Sequence, residues 1–228
     1  MCGSVPGSAC VPGGPAWMGP ALCGRLANHP RTDCTLLSSA DPATLIAAAA
    51  TLGLPLQLVH EEAVAKLPGD LRVRPVPNAS PTTFGHTDPR NARAVIEALT
   101  CAAGACLTGE LDGLVTGPVH KAAINAGGIA YTGTTELLAE HAGRSVVMML
   151  ANEIVRVALV TTHLPLREVP DALTATPPAQ ALRVPPAAPR QDLGLPPPAL
   201  ALLGLHPHAG DAGPLGRAAT DALAPLRH

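Results

Sequence analysis

Apolar residues recur at helical spacing between Asp88 and Gly109. Asp88 can accept hydrogen bonds from the free amides of a first turn, and Pro89 suits the first helical position. The spacing predicts a core helix that begins at Asp88 and ends at Gly109. Its expected apolar face comprises Ala92, Val95, Ile96, Leu99, Ala103 and Cys106.

Two shorter helices are predicted from similar patterns. The pair Asp41 and Pro42 starts the first one, and Gly53 stands where a left-handed cap would close it. The second one runs from Thr135 to His141 and is closed by Gly143. The expected core residues of the first one are Leu45, Ile46, Ala49 and Leu52.

Runs of strand-forming residues lie between and after these helices. Leu111 to Thr116 predicts a short buried strand, and Ala199 to Leu205 predicts another. Two further runs, Ser145 to Ala151 and Val155 to Thr162, flank the pair Asn152-Glu153, which predicts an antiparallel hairpin with its turn at that pair. The alternation of helices and strands indicates an α/β fold with a mostly parallel sheet.

The composition argues against several classes of protein, namely nucleic-acid-binding, membrane-spanning and secreted proteins. The 15 Lys and Arg against 17 Asp and Glu give a formal charge of −2, and aromatic residues make up 1% of the 228 residues. Such a chain lacks the basic field and the stacking side chains that hold nucleic acid. Its apolar runs are shorter than the roughly 20 residues of a membrane-spanning helix, and residues 1–20 do not resemble a secretory signal. We expect a cytoplasmic protein that acts on a small molecule.

The six cysteines are scattered without a Cys-x-x-Cys pair, which argues against a zinc ribbon or a redox motif. We expect reduced thiols, with Cys101 and Cys106 as small buried packing residues on one helix. Residues 177–198 form an atypical segment that contains eight prolines, and a regular helix cannot cross it.

One segment, Thr116-Gly117-Pro118-Val119-His120-Lys121, combines a strand end, a tight turn and a polar helix start. Ligands bind at strand ends in open α/β sheets, and exposed helix amides with a lysine favour a phosphate. His120 and Lys121 are therefore candidate phosphate-binding residues. A capped turn with solvated side chains would give the same pattern.

Other histidines also stand near predicted strand ends. His163 follows an apolar run, where a neutral imidazole could bind a divalent metal, although a lone histidine is more often a hydrogen-bonded structural residue. His206 and His208 precede the glycines Gly210 and Gly213, whose backbone could approach a ligand closely. Turn chemistry explains those glycines equally well, so the role of both histidines stays open.

Several segments, taken in order, resemble one enzyme family. They are Thr116 to Lys121, Ala123 to Ile129, Tyr131 to Gly133, Met148 to Ala151, Arg156 to Thr174 and, after a gap, Leu203 to Asp211. Together they resemble the 4-hydroxythreonine-4-phosphate dehydrogenases of vitamin B6 and pyridoxal phosphate biosynthesis. The resemblance is closest over residues 88–176, and His206 stands where the family has asparagine.

The resemblance implies a fold similar to isocitrate and isopropylmalate dehydrogenases, in which two lobes flank a cleft and two subunits form a homodimer. It implies NAD- or NADP-dependent oxidation of 4-phosphooxy-L-threonine to a 3-oxo acid that decarboxylates to 3-amino-2-oxopropyl phosphate. A divalent metal (Zn, Mg or Co) held by three histidines would polarise the reacting oxygen.

Residue by residue, the resemblance assigns His120 and Lys121 to substrate binding and His163 to the metal. It places Thr134 at a second ligand position, where the family has histidine, and the third ligand beyond residue 228, so that the second lobe is expected to be incomplete. A threonine hydroxyl is a poor ligand for a transition metal. We therefore expect weak metal binding and little or no turnover by the isolated chain.

Two alternatives stay open. The first is a non-catalytic phosphate-binding or dimer-forming remnant of this family, which would bind the phosphorylated substrate without turnover. The second is a related cleft enzyme such as a phosphate acyltransferase, which needs no metal. The run Thr161-Thr162-His163-Leu164-Pro165 argues against the second alternative.

Overall fold

A computed structural model describes residues 17–30, 34–65, 67–144, 146–152, 154–161, 164–173, 201, 203 and 205, and the backbone of residues 7–10. Contacts divide the chain into two units, residues 1–143 and 144–228. The Pro-rich segment 177–198 lies outside the described residues, and so does most of the predicted strand at Ala199 to Leu205.

The first unit is built on a five-stranded sheet whose pairings are all parallel. The strands are β1 (Gly7–Cys10), β2 (Cys34–Ala40), β3 (Gln57–His60), β4 (Asp70–Pro75) and β5 (Gly113–Leu114), in the order β3-β4-β2-β1-β5. The helices are α1 (Met18–Asn28), α2 (Pro42–Thr51), α3 (Ala92–Leu107), α4 (Lys121–Ala126) and α5 (Thr134–Ala142). The predicted α/β fold is confirmed.

Strand β2 divides the core, because alternate side chains of a strand face opposite ways. Leu36 and Ala40 pack with residues of α1 and α2, and Leu37 packs with residues of α3. Helices therefore cover both faces of the sheet, which is how parallel strands bury both of their sides.

Helix α2 begins where its sequence predicts. The Asp41 carboxylate accepts a hydrogen bond from the backbone N of Thr44 at 2.8 Å, and Pro42 is the first helical residue. Leu45 is fully buried, whereas Ile46, predicted to lie in the core, is 53% exposed. The prediction for Ile46 was wrong because α2 buries only a narrow stripe: Thr44, Leu45, Ala48 and Ala49.

The helix predicted from Asp88 starts with a different geometry. Pro89–Asn91 form a 3-10 turn, in which the Asp88 carboxylate accepts from the backbone N of Arg90 at 2.9 Å, and the α-helix α3 follows. Gly109 lies two residues beyond the end of α3 with a left-handed φ of 77°. The short helix predicted next is confirmed as α5, and Gly143 closes it with a left-handed φ of 60°.

Two expectations of burial were wrong in part. Cys101 is exposed and Cys106 is half-buried, because the fully buried positions of α3 are mostly alanines that let the helix pack closely on the sheet. The predicted strand Leu111 to Thr116 is observed only as the two-residue strand β5, which pairs with β1 at the edge of the sheet. Val115, predicted to be buried, is 52% exposed. No disulfide joins the four cysteines whose side chains the structure describes, namely Cys23, Cys34, Cys101 and Cys106.

The second unit contains the predicted antiparallel hairpin. Its strands are β6 (Met149–Ala151) and β7 (Arg156–Ala158), and a short helix α6 (Val169–Ala172) follows. The turn is longer than predicted, because Asn152 Oδ1 accepts hydrogen bonds from the backbone N atoms of Ile154 and Val155, both at 2.8 Å. Among the residues that the structure describes, no helix combines the length and the apolar character needed to cross a membrane.

Candidate functional site

The segment that follows β5 lies at the carboxyl edge of the sheet. β1 has β2 on one side and β5 on the other, so the strand order reverses between β1 and β5. Such a reversal opens a crevice outside the carboxyl ends of the strands, where ligands bind in open α/β sheets. Residues 115–120 leave β5 at this edge and lead into α4.

His120 caps helix α4 with its side chain. Its Nδ1 accepts a hydrogen bond from the backbone N of Ala123 at 3.1 Å. Because Nδ1 accepts, the proton of the neutral imidazole lies on Nε2, which leaves one N–H donor for a ligand. The imidazole is exposed, so a ligand can reach that donor.

Lys121 is the first residue of α4, and its side chain extends toward the start of α5. Its Nζ lies 3.4 Å from the position that a Cβ on Gly133 would occupy. The Oε2 atom of Glu136 approaches the same position even more closely. The cationic side chain of Lys121 and the anionic side chain of Glu136 therefore both approach Gly133.

Asn125 joins these elements, and sequence reasoning missed it. Its Nδ2 donates to the backbone O atoms of Lys121 and Tyr131, both at 3.0 Å. Its Oδ1 accepts from the backbone N of Tyr131 at 3.0 Å. These bonds fix the loop between α4 and α5 relative to Lys121. No local sequence pattern marks an amide that bonds backbone six residues further along.

Tyr131 and Thr134 form a hydroxyl pair at the start of α5. Tyr131 is only 6% exposed, and its hydroxyl lies 2.6 Å from Thr134 Oγ1. Burial is the main cause that raises the pKa of the Tyr131 phenol. The position predicted as a second metal ligand is thus a hydroxyl group already hydrogen-bonded to a protein partner.

A small pocket, partly open to solvent, lies beside His120. Its walls are largely apolar and include Ala92, Val95 and Ile124. Asp88 also lines it, and the Arg90 guanidinium beside that residue holds the pKa of the Asp88 carboxyl well below its usual range. The pocket therefore presents one imidazole and one ionised carboxylate at an apolar surface.

The predicted site residues are only partly described. His120, Lys121 and Thr134 come together around the start of α4 and α5, whereas His163, His206 and His208 lie outside the described residues. Within the described ranges, no group of three or more His, Cys, Asp or Glu side chains could hold a metal ion. The assignment of His163 to a metal stays a prediction.

The doubly covered parallel sheet defines the chain as an α/β protein, and comparison with known proteins gives its family. The sequence profile described as "Pyridoxal phosphate biosynthetic protein PdxA" matches residues 32–227. The chain is 64% identical to a 4-hydroxythreonine-4-phosphate dehydrogenase of Stenotrophomonas maltophilia, over 97% of this chain and 68% of the relative. It is 60% identical to the Xanthomonas campestris enzyme of the same name, over 97% and 69% of the two chains.

A solved structure agrees with these relatives. The crystal structure of 4-hydroxythreonine-4-phosphate dehydrogenase from Klebsiella pneumoniae superposes with a TM-score of 0.86 at 27% identity, covering 96% of this chain and 70% of that one. The chain belongs to the PdxA family of 4-hydroxythreonine-4-phosphate dehydrogenases in pyridoxal phosphate biosynthesis, and by family it is an oxidoreductase. The resemblance predicted from the sequence is confirmed.

Proposed function

We propose that the chain oxidises 4-phosphooxy-L-threonine with NAD or NADP to a 3-oxo acid, which decarboxylates to 3-amino-2-oxopropyl phosphate. Membership of the family supports the reaction. The position of Lys121 supports the substrate class, because its ammonium extends from the carboxyl edge of a parallel sheet, where such folds bind ligands.

In this proposal Lys121 and His120 bind the phosphate group. An ammonium on a flexible stem is a common phosphate partner, and its charge strengthens the hydrogen bonds to phosphate oxygens. The Nε2–H of His120 provides a second donor, because the bond from Ala123 occupies Nδ1. The two side chains come from consecutive residues, so the short helix α4 fixes their relative positions.

The nicotinamide would supply the hydride acceptor for the reaction. His163 is the proposed metal ligand, but Thr134 Oγ1 is bonded to Tyr131 and the described residues provide no ligand group. The described residues alone therefore do not fit a metal centre, and no step is assigned to a metal.

We also propose the finer architecture that the family resemblance implies. In that arrangement two isocitrate-dehydrogenase-like lobes flank a cleft, and the chain forms a homodimer in the cytoplasm. Size-exclusion chromatography with light scattering would check the dimer, because a monomeric mass at micromolar concentration would contradict it.

The experiment measures binding and turnover separately on the full chain. Calorimetry with 4-phosphooxy-L-threonine should detect binding that Lys121→Gln weakens about tenfold, the value of one hydrogen bond to a charged group. Arg93→Gln, which removes an exposed cation from α3, is the matched control and should leave the affinity unchanged.

Turnover is followed as NADH or NADPH formation with a divalent metal present. Product formation identifies the dehydrogenase. Metal-independent binding without turnover identifies the non-catalytic phosphate-binding remnant. If the chain does not bind the phosphorylated substrate at all, the assignment of Lys121 and His120 is wrong.

A further inference from the structure

Two opposite charges meet at one glycine before helix α5. The Nζ of Lys121 lies 3.4 Å from the place of a Gly133 Cβ, and Glu136 Oε2 lies so near that place that a methyl group would overlap it. Gly133 is buried, whereas Lys121 and Glu136 are exposed. Because Gly133 has no side chain, the ends of both charged side chains come close to the same point.

The backbone does not require a glycine at this position. The φ of Gly133 is 170°, an extended conformation that any residue adopts. The other glycine that ends this helix, Gly143, has the left-handed conformation that does favour glycine. The absence of a side chain at Gly133 therefore serves the close approach of the two charged side-chain ends and not the direction of the chain.

Among the described residues, neither Lys121 nor Glu136 forms an ion pair. The ion pairs there involve other residues, namely Arg74, Arg90 and Arg167 with their acidic partners. Glu136 occupies the first turn of α5, where a carboxylate also interacts favourably with the helix dipole. That effect needs neither a lysine nor a glycine nearby, so it does not explain why all three groups meet.

The carboxylate of Glu136 faces the loop that carries Tyr131. Its negative charge adds to burial in raising the pKa of the Tyr131 phenol, so the two groups lie within electrostatic reach. Asn125 holds that loop to the backbone of Lys121 through bonds of 3.0 Å. Hydrogen bonds therefore fix the loop that lies between Lys121 and Glu136 in the sequence.

We infer that Glu136 binds the ammonium group of the substrate while Lys121 binds its phosphate, an inference that rests on the proposed function. In 4-phosphooxy-L-threonine the hydroxyl to be oxidised stands between the amino-bearing carbon and the phosphate-bearing carbon. A carboxylate and an ammonium whose ends both lie close to Gly133 match these two charges. Glu136 is then a specificity-determining residue that distinguishes a phosphorylated amino acid from a phosphorylated hydroxy acid.

The test compares two ligands by calorimetry on the full chain at low ionic strength, because exposed charges are screened by salt. One ligand is 4-phosphooxy-L-threonine, and the other is the same molecule without its amino group. The wild-type chain should bind the first ligand about fivefold more tightly, the upper value for one exposed charge pair. Glu136→Gln should abolish this preference and keep binding of the second ligand.

Two further variants separate recognition from helix stability. Glu140→Gln removes another exposed carboxylate of α5, away from Gly133, and should keep the preference. Gly133→Ala keeps both charges but adds a methyl group that overlaps Glu136 Oε2, so the Glu136 side chain must move and the preference should weaken while phosphate binding through Lys121 persists. Thermal unfolding of each variant confirms that it is folded.

The outcomes distinguish this inference from the proposed function. Equal binding of both ligands by the wild-type chain, or a preference that survives Glu136→Gln, overturns the role of Glu136 and leaves the phosphate site at Lys121 standing. The role of Glu136 is also overturned if Glu140→Gln abolishes the preference, because a general charge effect then explains the result. Failure to bind either ligand overturns both proposals.

Discussion

The Tyr131 hydroxyl lies 2.6 Å from Thr134 Oγ1, across the boundary between the loop and helix α5. Asn125 holds the backbone N and O of the same tyrosine from the α4 side. Tyr131 thus connects the helix that carries Lys121, through its backbone, with the helix that carries Glu136, through its hydroxyl. The arrangement of the candidate site depends on this connection.

Tyr131→Phe removes that hydroxyl bond and leaves the ring in place. We expect the free energy of unfolding to fall by about 1 kcal/mol, the usual net value of one such bond. Denaturant unfolding followed by the fluorescence of the single tryptophan, Trp17, would measure it, because the Trp17 ring packs edge-on against Phe84 with centroids 4.7 Å apart.

A double-mutant cycle gives the control for this pair. Thr134→Val removes the other hydroxyl, and the effects of the two single variants should not add, because both delete the same bond. Additive effects would mean that the two hydroxyls do not interact in solution.

Leu45→Ala and Ile46→Ala form a matched pair of neighbours on α2. Leu45 is 0% exposed and Ile46 is 53% exposed. Leu45→Ala should lower the free energy of unfolding by about 2–5 kcal/mol, because it leaves a cavity between α2 and the sheet. Ile46→Ala should change it by less than about 1 kcal/mol. A larger loss for Ile46→Ala would contradict the observed orientation of α2.

The Asp41 carboxylate supports two elements at the carboxyl edge of the sheet. One oxygen accepts from Thr44 N and Oγ1, at 2.8 and 2.7 Å, and the other accepts from Asn78 N at 3.3 Å. Asp41→Ala should cost about 1–2 kcal/mol in urea unfolding, the value of a lost helix cap. Asp41→Asn retains an acceptor oxygen and should cost less, and equal losses would show that the cap is not the cause.

Asp88 gives a pH dependence whose sign follows from its environment. Arg90 lowers the pKa of the folded-state carboxyl, so its contribution to stability is present above the unfolded-state pKa of about 4 and is lost as the pH falls through the folded-state value. Asp88→Asn keeps a capping side chain and removes the charge. The Tm difference between the wild-type chain and this variant should shrink as the pH falls below about 4. A constant difference across that range would contradict the ion pair.

The candidate site could be predicted in part. His120 and Lys121 were found because a strand end, a Gly-Pro turn and a helix start are contiguous in sequence. Asn125 and Glu136 were missed as site residues, because their relevance depends on how two helices approach each other across a loop. The role of Thr134 was predicted from resemblance alone, and the partner of its hydroxyl is visible only in the folded chain.

The sequence by itself determined the capping carboxylates of Asp41 and Asp88, the left-handed glycines Gly53 and Gly143, and the α/β class, because capping and periodicity act over a few neighbouring residues. Only the tertiary structure decided that Ile46 is exposed and that Lys121 and Glu136 meet at Gly133. Burial and charge proximity depend on segments far apart in the chain, and the local pattern carries no information about their approach. The same physical reason explains why a family can be recognised from motifs before the approach of Lys121 and Glu136 at Gly133 can be seen.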